Sequence, residues 1–179
     1  DVLKLDFVDG LKKDLEETEI LGLAYCIGSI DLKPFRATQA KDFVSSYILN
    51  LVAVTDIIRA FQNKLKINNG SIVLFSTVAA KKGFANHSII SSAKAAVEGL
   101  TLALAAELAP NIRVNCIAPS LTKSKIASSI IKNSTMEESI AKLHPLKRIG
   151  IGADSANLAN FLLTSKSSWI TGQIIAVDG

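Results

Sequence analysis

The sequence predicts an α/β fold in which a parallel sheet carries helices on both faces. Three observations lead there. Apolar runs of strand length recur along the chain with little polar alternation, as expected of strands covered on both sides. Segments of helical periodicity separate them. No internal repeat, low-complexity stretch or linker interrupts the 179 residues, so a single domain over 1–179 is expected.

In chain order, DVLKLDF (1–7) reads as a short strand and LKKDLEET (11–18) as a polar helix. LGLAYCIG (21–28) is an apolar strand expected to be buried and to end at Gly28. A polar loop leads to a long helical pattern from about Ala40 to Leu65. SIVLFST (71–77) is rich in β-branched and aromatic residues and makes a strong strand. A loop of small residues then precedes a helix over about 88–108. IRVNCIA (112–118), closed by Pro119, is the next strand. A loosely amphipathic stretch over 123–142, a helix at 153–164 and a last strand at 172–179 complete the pass.

Composition excludes several classes. With 49% hydrophobic and 20% charged residues, the chain has the make-up of a globular domain with a sizeable core. No apolar run is expected to reach the ~18–20 residues of a membrane span, and the first ten residues lack the apolar centre of a signal peptide. The net charge of +4 is spread out, with no basic stripe interleaved with aromatics. That argues against a nucleic-acid partner. Cys26 and Cys116 form no CxxC pair, and the expectation is buried thiols in a reducing, cytoplasmic setting. His87 and His144 have no further ligand at metal-binding spacing, so no metal is expected.

Several stretches in the right order resemble the short-chain dehydrogenase/reductase family. They are SIVLFSTVAAKKGF, SAKAAVEGLTLALAAELAPNIRVNCIAPS and HPLKRIGIGADSANLANFLLTSKSSWITGQIIAVDG. The resemblance implies a Rossmann-like doubly wound sheet with strand order 3-2-1-4-5-6-7. Aligned this way, residue 1 falls at strand 3, and the first two strands, first helix and Gly-rich phosphate loop are not in this chain. Gly150 and Gly152 follow no strand and read as a loop. With strands ~4.8 Å apart, a strand 3 without strands 1 and 2 would lie about 14 Å from strand 4. The expectation is therefore a portion of a longer protein.

The resemblance also implies NAD or NADP as cofactor and a small-molecule carbonyl or alcohol as substrate. In the family a tyrosine four residues before a lysine moves the proton, because such residues share a helical face. By position, Lys94 matches that lysine, Asn50 the supporting asparagine and Thr77 the serine that orients the substrate. Ile90 stands at the tyrosine position and carries no acidic proton. His87, seven residues before Lys94, is a speculative substitute acid on the same face. Against it, Asn86 or Ser88 could cap the helix while His87 only lines the pocket. Each polar residue taken alone has a plainer reading: a solvated lysine, a hydrated helix asparagine, a strand-end threonine bonded to local backbone.

Cofactor contacts implied in the same way fall on Asp6, as the strand-3 aspartate, and on Cys26, Gly28, Lys94, Pro119, Ser120, Thr122 and Ser124. Cys26-Ile27-Gly28 replaces the family's Asn-Ala-Gly, and Pro119-Ser120 replaces its Pro-Gly. The departures thus gather at one crevice and leave two readings open, an oxidoreductase with an altered proton donor and a non-catalytic dinucleotide-binding or oligomer-forming protein. The 123–142 stretch looks like the family's substrate lid. The helices at 40–65 and 88–108 match its dimer-forming pair, which points to a homodimer or homotetramer. Small residues such as Ala93, Ala95, Ala96, Ala103, Ala105 and Ala106 would allow close approach, although some must face the sheet.

Overall fold

A computed structural model describes residues 1–179, with Ser129 described by its backbone alone. Four parallel strands form one sheet in sequence order: β1 (Gly22–Ala24), β2 (Ser71–Phe75), β3 (Arg113–Pro119) and β4 (Ile174–Val177). The register aligns Gly22 with Ser71, Ser71 with Arg113 and Cys116 with Ile174. This is the order the resemblance implies for the last four strands of its fold. The helices are α1 (Phe7–Asp14), α2 (Ala40–Tyr47), α3 (Ala53–Ile67), α4 (Ser88–Glu107), α5 (Ser134–Ala141) and α6 (Gly152–Leu163).

Alternation along β2 and β3 sorts the core into two layers. Ile72, Leu74, Val114 and Cys116 join a cluster with Val54, Phe61 and Leu65 of α3 and Val97 of α4. Val73 and Ile117 join Ala159 and Leu162 of α6 in a second, smaller cluster. Both sheet faces are therefore covered, which is why these strands read as unbroken apolar runs. At the start of α6, Asp154 accepts from the Ile151 N–H at 2.8 Å and takes a two-pronged bond from Arg148. The Arg148 guanidinium, with that backbone bond, holds the Asp154 carboxyl down at about 2.

Three expectations need correction. Residues 1–7 form no strand; turns lead directly into α1, whose Phe7, Val8 and Leu11 pack on the larger cluster. The Lys64 ammonium holds the following loop by the Leu15, Glu16 and Thr18 carbonyls. Alternating charge and apolarity here marks one face of a helix laid on α3, so strand 3 of the resembled fold is also absent among the described residues. Second, β1 is only three residues long and half-exposed, because nothing pairs with its outer edge. Third, two helices, Ala40–Ile67 and Ser88–Glu107, are long and apolar enough to cross a membrane by length and composition. Both put residues into the larger cluster against the sheet.

The first of these helices is not uniform. Between α2 and α3 the residues Ile48–Val52 form a π-helical turn. The Asn50 side-chain amide donates to the Ser46 carbonyl at 3.0 Å, the acceptor that an α-helical Asn50 N–H would use. With that carbonyl taken, the ladder lengthens by one residue. Tyr25, buried after β1, donates its phenol to the Leu49 carbonyl in the same turn, at 2.9 Å.

Truncating a side chain in the smaller cluster tests that layer. Leu162→Ala should lower unfolding free energy by about 2–5 kcal/mol in urea titration.

Candidate functional site

The candidate residues gather at the C-terminal ends of the strands, where open α/β sheets bind ligands. Lys94, on α4, is buried and reaches across the end of β2, donating from Nζ to the Phe75 carbonyl at 2.8 Å. An ammonium has three donors, and among the described residues this is its only hydrogen bond, so two remain. Asn50, 1% exposed, spends its amide nitrogen on Ser46, while its Oδ1 has no partner among the described residues. The two groups converge over Gly28. A Cβ placed there would lie 2.6 Å from Asn50 Oδ1 and 3.3 Å from Lys94 Nζ. Glycine is required by that approach, not by its backbone angle.

Thr77 follows β2. Its hydroxyl donates to the Pro119 carbonyl at 3.4 Å and accepts from the Ala79 N–H at 3.3 Å. The local-backbone role is thus real, and it also ties the β2 end to the β3 end. Beneath it lies a buried polar group that position alone did not single out. Ser76 donates to Glu98 Oε1 at 2.8 Å, and Lys81 stands 3.8 Å from the other carboxylate oxygen. Ser76 and Glu98 are twenty-two residues apart, and no local spacing signals their contact.

Ile90 is 3% exposed and Ile89 fully buried, so the start of α4 is anchored by apolar side chains. His87 occupies the N-cap position, outside the helix, and Nδ1 lies 2.7 Å from the Ala85 carbonyl. It therefore does not share the helical face of Lys94 as spacing suggested. Neither Asn86 nor Ser88 caps the helix; the Ser88 hydroxyl is buried without a partner among the described residues. His87 lines an open cavity of about 520 Å³ with Phe35, Lys81, Lys82, Phe84 and Ser91.

On the other side of the crevice, Ser120 follows β3, and its hydroxyl is 2.8 Å from His144 Nε2. Thr122 donates to the Ser120 carbonyl at 3.0 Å and bridges to Gly150. Ser124 accepts from the Ala127 N–H at 3.2 Å, supporting the short turn Ile126–Ser129. Within the stretch expected to form a lid, α5 is tied back by Lys123–Glu137 at 2.6 Å. Cys26 is exposed, not buried; Cys116 is buried, and desolvation pushes its thiol up to about 12. Asp6 is exposed in the turn before α1, and its assignment as a strand residue fails with the strand itself.

The family model described as enoyl-(acyl carrier protein) reductase matches residues 1–179. The chain belongs to the short-chain dehydrogenase/reductase family. It is 38% identical over 115 residues to dehydrogenase/reductase SDR family member 4 of Homo sapiens, covering 64% of this chain and 41% of that protein. It is 32% identical over 155 residues to a tropinone reductase homologue of Arabidopsis thaliana, covering 86% of this chain and 59% of the relative. The chain thus spans less than two thirds of the length of either. Among solved structures, ElxO with NADP bound superposes with a TM-score of 0.88 at 26% identity, covering all of this chain and 75% of that one.

In this short-chain dehydrogenase/reductase, burial lowers the Lys94 ammonium to about 8. The sign follows from linkage. Between pH ~8 and the ordinary lysine value of ~10.4 the unfolded chain holds a proton that the folded chain has released, so stability rises with pH there. Below about 8 the cost of the buried charge is constant. At ~1.4 kcal/mol per pH unit, the rise from this residue is about 3 kcal/mol at most. Urea midpoints of the nucleotide-free protein at pH 7.5 and 10 should therefore diverge less in Lys94→Met than in the parent.

Proposed function

We propose that the protein is an NAD(P)-dependent oxidoreductase acting on a small-molecule carbonyl or alcohol, with its proton supplied by a group other than residue 90. The observation that carries this is the convergence of Lys94 Nζ and Asn50 Oδ1 over Gly28. A bare buried acceptor beside an ammonium with two free donors suits vicinal hydroxyls, such as those of a nucleotide ribose, or a water bridging to them. The NADP held by ElxO supports the same cofactor class. Lys94 would bind the ribose hydroxyls, Asn50 would keep a bridging water in place, and Gly28 leaves the room. Pro119, Ser120, Thr122 and Ser124 would border the cofactor from the β3 side. The nicotinamide, when bound, supplies or accepts hydride.

Thr77 orients the substrate oxygen with its hydroxyl, at the cost of a long bond to Pro119. Routes for the proton include His87 from the cavity side, Thr77 itself, or a water held by Lys94 and Asn50. Losing a positioned acid typically costs ~10²–10⁴-fold, so turnover without a phenol is slow but not abolished. The buried Ile90 favours a second reading, a dinucleotide-binding protein without catalysis. Nicotinamide fluorescence with NADH and NADPH, then turnover against a carbonyl panel, separates the two. The oxidoreductase reading expects binding and slow turnover in the parent, and faster turnover in Ile90→Tyr. Binding with turnover only in Ile90→Tyr would favour the non-catalytic reading, and no nucleotide binding would defeat both.

The protein also associates through α2, the π-helical turn and α4, in this reading. Val44, Ile48 and Val52 are exposed along one side of the first helix, and Leu102 with Ala95, Ala103 and Ala106 along the second. Ala93 and Ala105 face the core instead. Sedimentation should show a dimer or tetramer that Ile48→Glu converts to monomer; a monomeric parent would refute association.

A further inference from the structure

We infer that Ser120 and His144 form a proton relay for the reaction at this crevice, Ser120 touching the substrate oxygen and His144 exchanging the proton through it. This rests on the oxidoreductase reading above. His144 Nδ1 lies 3.0 Å from the carbonyl of Ile140, in the last turn of α5. A carbonyl only accepts, so Nδ1 carries the hydrogen and Nε2 is the bare nitrogen. That nitrogen accepts from the Ser120 hydroxyl at 2.8 Å. The imidazole is 9% exposed and packed beside Gly179, where a Cβ would lie 3.8 Å from His144 Cβ and 3.9 Å from its ring Cδ2. Ser120 is half-buried, so the serine end of the pair is the more accessible one.

The pair is not needed to satisfy the turn that holds it. The Ser120 N–H donates to the Val177 carbonyl at 3.0 Å, and its own carbonyl accepts from Thr122 Oγ1. Its place is set by neighbours of the site. Thr77 bonds the carbonyl of Pro119, one residue earlier, and Lys82 on the cavity wall pairs with Asp178, one residue before Gly179, at 3.0 Å. Three nearby basic side chains are engaged elsewhere. Lys123 pairs with Glu137 on α5, Arg148 pairs with Asp154, and Lys147 bonds the Lys142 carbonyl.

As observed, the arrangement suits alcohol oxidation. The substrate O–H proton passes to Ser120 Oγ as the Ser120 proton passes to His144 Nε2. A bound oxidised nicotinamide would take up the hydride that leaves carbon as the C=O bond forms. Reduction runs the same steps backwards, with a protonated His144 as the source. A serine alone is a poor acid, but imidazole is the side chain whose ordinary titration lies near neutral pH.

The test uses Ser120→Gly, His144→Gln and His87→Ala beside the parent, with nucleotide binding, kcat/KM against pH in both directions, and imidazole nitrogen NMR. His144→Gln keeps a hydrogen-bonding side chain but cannot carry the proton. Both pair variants should bind nucleotide and lose roughly 10²–10⁴-fold in kcat/KM. His144→Gln should also change the shape of the pH profile, and the parent spectrum should show an Nδ1–H tautomer whose Nε2 resonance moves in Ser120→Gly. Parental turnover and pH profile in the pair variants, a loss confined to His87→Ala, or an Nε2–H tautomer would each overturn the relay alone. A parent inactive on every carbonyl and alcohol would overturn the oxidoreductase reading together with it.

Discussion

A lysine ammonium buried at the end of a parallel sheet is the constraint around which this structure is arranged. Desolvating a charge is costly unless it finds oxygen partners, and Lys94 finds one in the Phe75 carbonyl. That bond needs β2 to stop where it does and α4 to cross it at the right height. The crossing is set by Ile89, Ala93 and Val97, all buried on the sheet-facing side of the helix. Gly28 and Asn50 then complete the surroundings, one by having no side chain and the other by leaving an oxygen bare. Cys116, below, stays a neutral thiol because its own burial disfavours ionisation.

The parts of the fold governed by burial on two faces were legible in the sequence. β2, β3 and α4 fall within a residue or two of where their apolar patterns place them. The parts governed by partners elsewhere were not. DVLKLDF has the alternation of a strand, yet its apolar residues are used by a short helix on α3, with turns before it. LGLAYCIG is as apolar as a central strand, but only three residues pair, and its outer edge stays open. Its Cys26 therefore meets solvent. Periodicity reports which residues avoid water, not what covers them.

The same division runs through the site. Lys94, Asn50 and Gly28 meet as their positions implied, whereas His87 turns back to its own loop. The Ser120–His144 contact joins residues twenty-four apart through the fold of the 123–150 region, and no local pattern announces it. Ser76 and Glu98 were similarly silent, since a strand-end serine and a helix glutamate are ordinary in isolation. Ile90 is enclosed with Ile89 at the start of α4, and the Ser120 hydroxyl is spent on His144.

The π-helical turn over Ile48–Val52 bears on how this helix tolerates changes in length. Such a turn holds one residue more than an α-helix needs over the same rise. Each residue in an α-helix advances the side-chain direction by ~100°. Deleting one residue between Ile48 and Val52 would let α2 and α3 join in regular phase, while any α3 kept in place would turn α2 by about that angle. Ser46 and Tyr47 would leave their present partners, and Asn50 would lose the carbonyl that aims its oxygen at Gly28. The extra residue thus works as a phase adjuster, letting one helix present a core face along α3 and an amide to the crevice.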